Sequence, residues 1–138
     1  MTVVLVDGIE ITEEFASRYR LSSLLGAGAV GTVRAATQVA TGRAVAIKFL
    51  RRLGDPVLTE RFLREARMLA RVQHPNVLKV FELGEVGGHP YLVTELIRGG
   101  TLRHRLMRER KLPSELALRL AVGCLDGLAA CHQASFVH

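Results

Sequence analysis

The sequence predicts an α+β fold: a meander of three strands, a helix, two further strands, and then two helices. Three observations predict it. Up to Leu50, short stretches rich in apolar and β-branched residues are separated by Gly-containing turns. Between Asp55 and Val72, apolar residues recur at helical spacing with Arg between them. Beyond the break at Arg98-Gly99-Gly100 the pattern is helical as far as His132. Strands first and helices second describe an α+β lobe followed by the beginning of a helical one.

The elements follow in order. Residues 1–17 read as a short leader. Tyr19 to Leu25 is a strand, Gly26 to Gly31 a turn, Thr32 to Val39 a strand, and Thr41-Gly42 a tight turn before a strand from Ala44 to Leu50. Asp55-Pro56 announces a helix, because Pro is tolerated in a first turn. That helix carries Leu58, Phe62, Leu63, Leu69 and Val72 inward, and His74-Pro75-Asn76 ends it. Val77 to Leu83 and Tyr91 to Ile97 are strands joined across Gly87-Gly88. Thr101 to Arg108 and Ser114 to His132 are helices, the second with Leu116, Leu120, Cys124, Leu128 and Cys131 along one side.

Composition sets bounds. The 138 residues are 49% hydrophobic, enough to fold one ordinary domain with a core. The net charge of +6 comes almost wholly from Arg interspersed with Glu, the pattern of solvated helix faces. There is no aromatic platform and no basic stripe, so a nucleic-acid partner is not expected. The apolar run Met1 to Val6 has no basic flank and meets Asp7 at once, so it is not a secretory signal. No stretch approaches the roughly 20 apolar residues of a membrane span. Cys124 and Cys131 stand about 10 Å apart along a helix, too far for a disulfide, and read as buried thiols of a cytoplasmic protein.

Gly26-Ala27-Gly28-Ala29-Val30-Gly31-Thr32-Val33 fits G-x-G-x-x-G-x-V. Glycines let a backbone approach an anion and offer N–H groups to phosphate oxygens. A dinucleotide-binding fold would need a helix at the third Gly and an acid about 20 residues on. Neither is present, since no Asp or Glu falls between Glu14 and Asp55. A Walker-type loop fails for want of Gly-Lys-Ser/Thr. What remains is a hairpin that covers phosphates from above.

Val45-Ala46-Ile47-Lys48 sets one Lys, of only three in the chain, inside an apolar strand. It is either a surface residue or a point charge for phosphate. Glu65 shares a helix face with Phe62 and Leu69, which aims it at the sheet and makes Lys48 its candidate partner. The competing partner is Arg61, four residues back on the same helix.

In their order and spacing these parts resemble a protein kinase, most closely the bacterial serine/threonine kinases. The resemblance runs from Arg18 to His138. It takes in the glycine turn, Val-Ala-Ile-Lys, the Arg-Glu-Ala helix and His74-Pro75-Asn76. It continues through Tyr91 to Leu96, Gly99-Gly100-Thr101-Leu102 and Phe136-Val137-His138. It implies a five-stranded antiparallel N-lobe sheet with one helix over residues 18–97, and the first helices of a helical C-lobe over 98–138.

The resemblance also implies roles. ATP would lie under Leu25, Gly26, Ala27, Gly28, Ala29, Val30 and Gly31. Lys48 would hold its phosphates, and Glu65 would orient Lys48. Val33 and Ala46 would sandwich the adenine, Thr94 would stand beside it, and the backbone of Glu95 and Ile97 would bond its edge. Leu69, Val80 and His138 would couple the two lobes. Arg34 departs from the family, where bacterial relatives often carry an aromatic.

The Mg²⁺ ligands and the Asp that accepts the substrate proton would lie beyond residue 138. The expected activity, ATP γ-phosphoryl transfer to a protein Ser or Thr, therefore belongs to a longer protein. The fragment alone is expected to be inactive. A nucleotide-binding pseudokinase, regulatory or scaffolding, is the alternative.

Overall fold

A computed structural model of the chain describes residues 4–135. Its centre is a five-stranded antiparallel sheet in the order β3-β4-β5-β7-β6. The strands are β3 (Tyr19–Ala27), β4 (Gly31–Gln38), β5 (Arg43–Leu50), β6 (Val80–Val86) and β7 (His89–Glu95). Helix α2 (Pro56–Leu69) packs on one face, and α3 (Leu102–Glu109) and α4 (Ser114–Gln133) follow the sheet. The expected α+β architecture, a kinase-like N-lobe leading into helices, is the one observed.

Alternation along β5 divides the core in two. Val45, Ile47 and Phe49 face one way, into a cluster with Tyr19, Tyr91 and Val93. Leu50 faces the other way, with Leu92, Phe62 and Ala66. Helix α2 lies on this second face because Phe62 and Ala66 form its apolar stripe. Its start is fixed by Asp55, whose carboxylate accepts from the N–H groups of Val57 and Leu58 at 3.1 Å, with Pro56 in the first turn.

The first face is covered by the leader, which sequence reasoning left without structure. Strands β1 (Val4–Val6) and β2 (Ile9–Ile11) form a hairpin, and α1 (Glu13–Arg18) follows. The hairpin turns on Asp7-Gly8, with φ of 54° and 81°, the left-handed pair that a two-residue turn requires. The Thr12 hydroxyl caps α1 by accepting from the Phe15 N–H at 3.2 Å. Ile9 and Phe15 are fully inside the core cluster. The Phe15 ring lies 5.1 Å from Tyr91, 5.4 Å from Tyr19 and 5.9 Å from Phe49, centroid to centroid.

Beside this cluster Glu82 accepts three hydrogen bonds: from Tyr19 at 2.5 Å, from Tyr91 at 2.8 Å, and from Arg18. Burial by itself would raise the Glu82 carboxyl, but the three donors hold it below its ordinary 4.5. Burial, then the bond to Glu82, pushes Tyr91 up to about 12 and raises Tyr19 as well. A depressed carboxyl stabilises the fold fully above its unfolded value and loses that contribution as pH falls through the folded value. Stability should therefore decline on acidification from about pH 4.5 downward. Glu82→Gln should flatten that acid limb in urea titrations at stepped pH, and an unchanged limb would remove Glu82 from it.

Several boundaries differ from expectation. Helix α2 stops at Leu69, so Val72 lies past its end, packed against Cys131 of α4. Strands β6 and β7 run right up to Gly87-Gly88, with Val86 opposite His89, because both glycines take positive φ and close a two-residue turn. Relative to the expected spans, β6 therefore starts and ends three residues later and β7 starts and ends two residues earlier. Cys131 is buried as expected, but Cys124 is exposed, lining the open cavity between α2 and α4. Among the described residues no helix is long and apolar enough to cross a membrane.

Candidate functional site

Cross-strand register decides which side chains share a face. Lys48 stands opposite Val33 on one side and Leu92 on the other. Ala46 stands opposite Ala35 and Thr94. Val33, Ala46, Lys48 and Thr94 therefore lie together on the face that also carries α2. Lys48 is exposed, with its ammonium 5.9 Å from the Phe62 ring centroid. Thr94 is buried and donates its hydroxyl to the Glu95 carbonyl at 3.1 Å.

The glycine turn joins β3 to β4 at the edge of this face. It closes by the Gly28 N–H donating to the Gly31 carbonyl at 2.9 Å. Its tip is tied to the segment after β5, where the N–H groups of Arg51 and Arg52 donate to the Val30 carbonyl at 3.0 and 3.2 Å. Leu25, Gly26, Ala27, Gly28, Ala29 and Val30 are all exposed.

The three glycines are not equivalent. A Cβ on Gly31 would fall 2.1 Å from the Phe49 carbonyl oxygen, so the fold itself requires glycine there. A Cβ on Gly26 or Gly28 would meet nothing within 4 Å. Neither of those two has positive φ. Their lack of a side chain is explained by no packing or backbone need, and it leaves open space for a group approaching the turn.

Glu65 is not where sequence reasoning aimed it. Its carboxylate is exposed and pairs with Arg61 at 3.0 Å rather than with Lys48. The sheet-facing stripe of α2 is set by Phe62 and Ala66, which leaves Glu65 at the stripe's edge. There it pairs with the i,i+4 arginine on its own helix. Instead of the sheet, Glu65 lines a cavity of about 380 Å³ between α2 and α4, with Leu69, Val77 and Leu128.

At the end of β7 the Glu95 N–H donates to the Lys79 carbonyl at 2.9 Å, and its carboxylate accepts from the Lys79 N–H at 2.8 Å. The backbone thus leaves the sheet at a fixed point. Ile97 follows in irregular, exposed chain. Leu69 and Val80 belong to different clusters, and His138, the third residue expected to couple the lobes, lies outside the described residues.

The two lobes meet at the Val72–Cys131 contact and also at Asn76. Its side-chain amide donates to the Gly123 carbonyl of α4 at 3.1 Å. Gly127, one turn on, sits so close that a Cβ would be 2.9 Å from the Asn76 carbonyl oxygen. Among the described residues no group of three His, Cys, Asp or Glu side chains gathers as a metal site would need.

Comparison with known proteins agrees with this arrangement. The family model described as protein kinase domain matches residues 19–138. Serine/threonine-protein kinase PknL of Mycobacterium tuberculosis is 38% identical over 124 residues, covering 88% of this chain and 31% of the relative. Serine/threonine-protein kinase PkaB of Streptomyces coelicolor is 39% identical over 130 residues, 93% of this chain and 31% of the relative. Serine/threonine-protein kinase pkn2 of Myxococcus xanthus is 38% identical over 123 residues, 88% of this chain and 15% of the relative. The matched part thus spans about a third or less of the length of these relatives. With the sheet order, the glycine turn and the lysine strand in one arrangement, the chain belongs to the protein kinase family, and among its relatives are bacterial serine/threonine kinases.

Proposed function

We propose that this chain is the ATP-binding part of a serine/threonine protein kinase. In the longer protein, the γ-phosphoryl group of ATP would pass to a Ser or Thr hydroxyl of a protein substrate, and the site would work in the cytoplasm. The observation that carries this reading is the common face shared by Val33, Ala46, Lys48 and Thr94, beneath a turn with two glycines the fold does not need. The apolar pair suits an adenine ring, and Lys48 has the reach and charge to meet phosphate oxygens. Gly26 and Gly28 let the backbone come close to the same anion.

ATP supplies the group transferred; this chain's residues bind and orient it. Among the described residues Lys48 pairs with no carboxylate, so the Arg61–Glu65 pair must open before Glu65 can serve it. An exposed i,i+4 pair is worth only about 0.3–0.5 kcal/mol, so opening it is a small cost. The 138 residues alone should bind nucleotide without transferring phosphate.

The test is a titration of the chain with ATP followed by NMR. Binding should be weak, with Kd of about 1 mM or above. It should move the amide signals of Val33, Ala46 and Thr94. Lys48→Met should weaken it about tenfold, or 1.4 kcal/mol, while leaving the fold intact. Shifts confined to other surfaces, or no shifts at high ATP, would overturn the reading.

A further inference from the structure

The sheet ladder is irregular at the root of the glycine turn. Pairing between β3 and β4 shifts register between Leu21 and Leu24, and again between Leu24 and Gly26. Residues 22–30 are all exposed, so little packing supports this stretch beside its interrupted ladder. Backbone bonds tie its tip at Val30, and side-chain bonds hold its root. The Ser22 hydroxyl donates to the Ala35 carbonyl at 3.0 Å, and Arg34 donates to the Ser22 carbonyl at 2.7 Å.

Arg34 is in turn gripped by the leader. Its Nε and Nη2 donate to the two carboxylate oxygens of Asp7 at 2.6 and 2.9 Å. This is the fork-to-fork geometry that makes charged hydrogen bonds strong and directional. Both side chains are largely buried, at 21% and 15% exposure. The Arg34 bond, outweighing burial, holds the Asp7 carboxyl below its ordinary 3.8. The hairpin tip at Asp7-Gly8 thereby reaches across to the two strands that flank the glycine turn.

We infer that the leader is a strap on the glycine turn, with Asp7 acting through Arg34 as a positioning residue that restrains residues 22–31. Leader docked, the turn is held; leader displaced, its root is released, since Arg34 loses the anion that orients it over Ser22. Any effect on nucleotide binding rests on the function proposed above, whereas the restraint itself does not.

Amide hydrogen exchange of the 138-residue chain tests the strap. Asp7→Asn keeps the shape of the side chain and removes its charge. Arg34→Lys keeps the charge and removes the fork. Each should speed exchange at Leu24 to Val33 about tenfold while leaving β7 and α2 unchanged. The double variant Asp7→Arg with Arg34→Asp should recover part of that protection. Unchanged exchange at the turn in folded variants would overturn the proposal. So would equal acceleration in β7 and α2, which marks global loss of stability and no local restraint. ATP titration of the same samples separates the two ideas: no binding by the parent chain would sink the nucleotide reading and leave the exchange result to decide the strap.

Discussion

Phe15→Ala should cost the chain about 3–5 kcal/mol of unfolding free energy, the usual range for deleting a buried ring. The ring is only 4% exposed and touches three other aromatic rings at 5.1–5.9 Å. Little nearby can collapse into the hole, because Phe49, Tyr91 and Tyr19 are fixed by the sheet, and the two tyrosines also by Glu82. Domains of this size are stable by about 5–15 kcal/mol, so the loss is a large share. Urea denaturation should show a lower midpoint with an unchanged slope. A change below about 1 kcal/mol would mean that the leader is an appendage and not part of the core.

Gly31→Ala should be the most damaging change in the glycine turn. The new methyl would lie 2.1 Å from the Phe49 carbonyl oxygen and 3.2 Å from its carbon. Those are backbone atoms in the middle of the β4–β5 ladder, where Gly31 pairs with Leu50. They can move only by parting the strands, at a cost of about 1–3 kcal/mol or more. Gly28→Ala is the counterpart: its methyl meets nothing, so stability should change by less than about 0.5 kcal/mol. Its effect should instead fall on ATP binding. Thermal unfolding and the ATP titration, run on both variants, should separate a glycine the fold needs from one the ligand needs. Equal destabilisation by the two would refute the distinction.

Most of the sheet was legible because Gly and Pro punctuate it. Thr41-Gly42, Asp55-Pro56 and Gly87-Gly88 each mark a turn or a helix start that the structure contains. The leader was harder. Its signals exist, Asp7-Gly8 for the hairpin and Thr12-Glu13-Glu14 for the cap, but strands of three residues carry no measurable periodicity. What gives them structure is the apolar face of a sheet formed by residues far along the chain. Glu65 failed for another reason. Helical spacing says which residues share a side, but Phe62 and Ala66 rotate that side some way from Glu65, and a local arginine captured it. Arg34 looked like a mere departure from family habit. Its purpose became visible only with Asp7, 27 residues away in sequence, placed against it.

The contact at Asn76 is one end of a seam. Sheet and helices are joined covalently at residues 96–101, where Gly100 takes φ of 78° in irregular chain. They touch again where Gly123 and Gly127 bring the backbone of α4 against Asn76. Further along α4, Cys131 packs with Val72, and Ala130, Ala134, Met68, Leu69 and Val77 close around that pair. Glycine and alanine let the helix backbone lie close enough for the seam to shut, and a side chain added at Gly127 would prise it apart at Asn76.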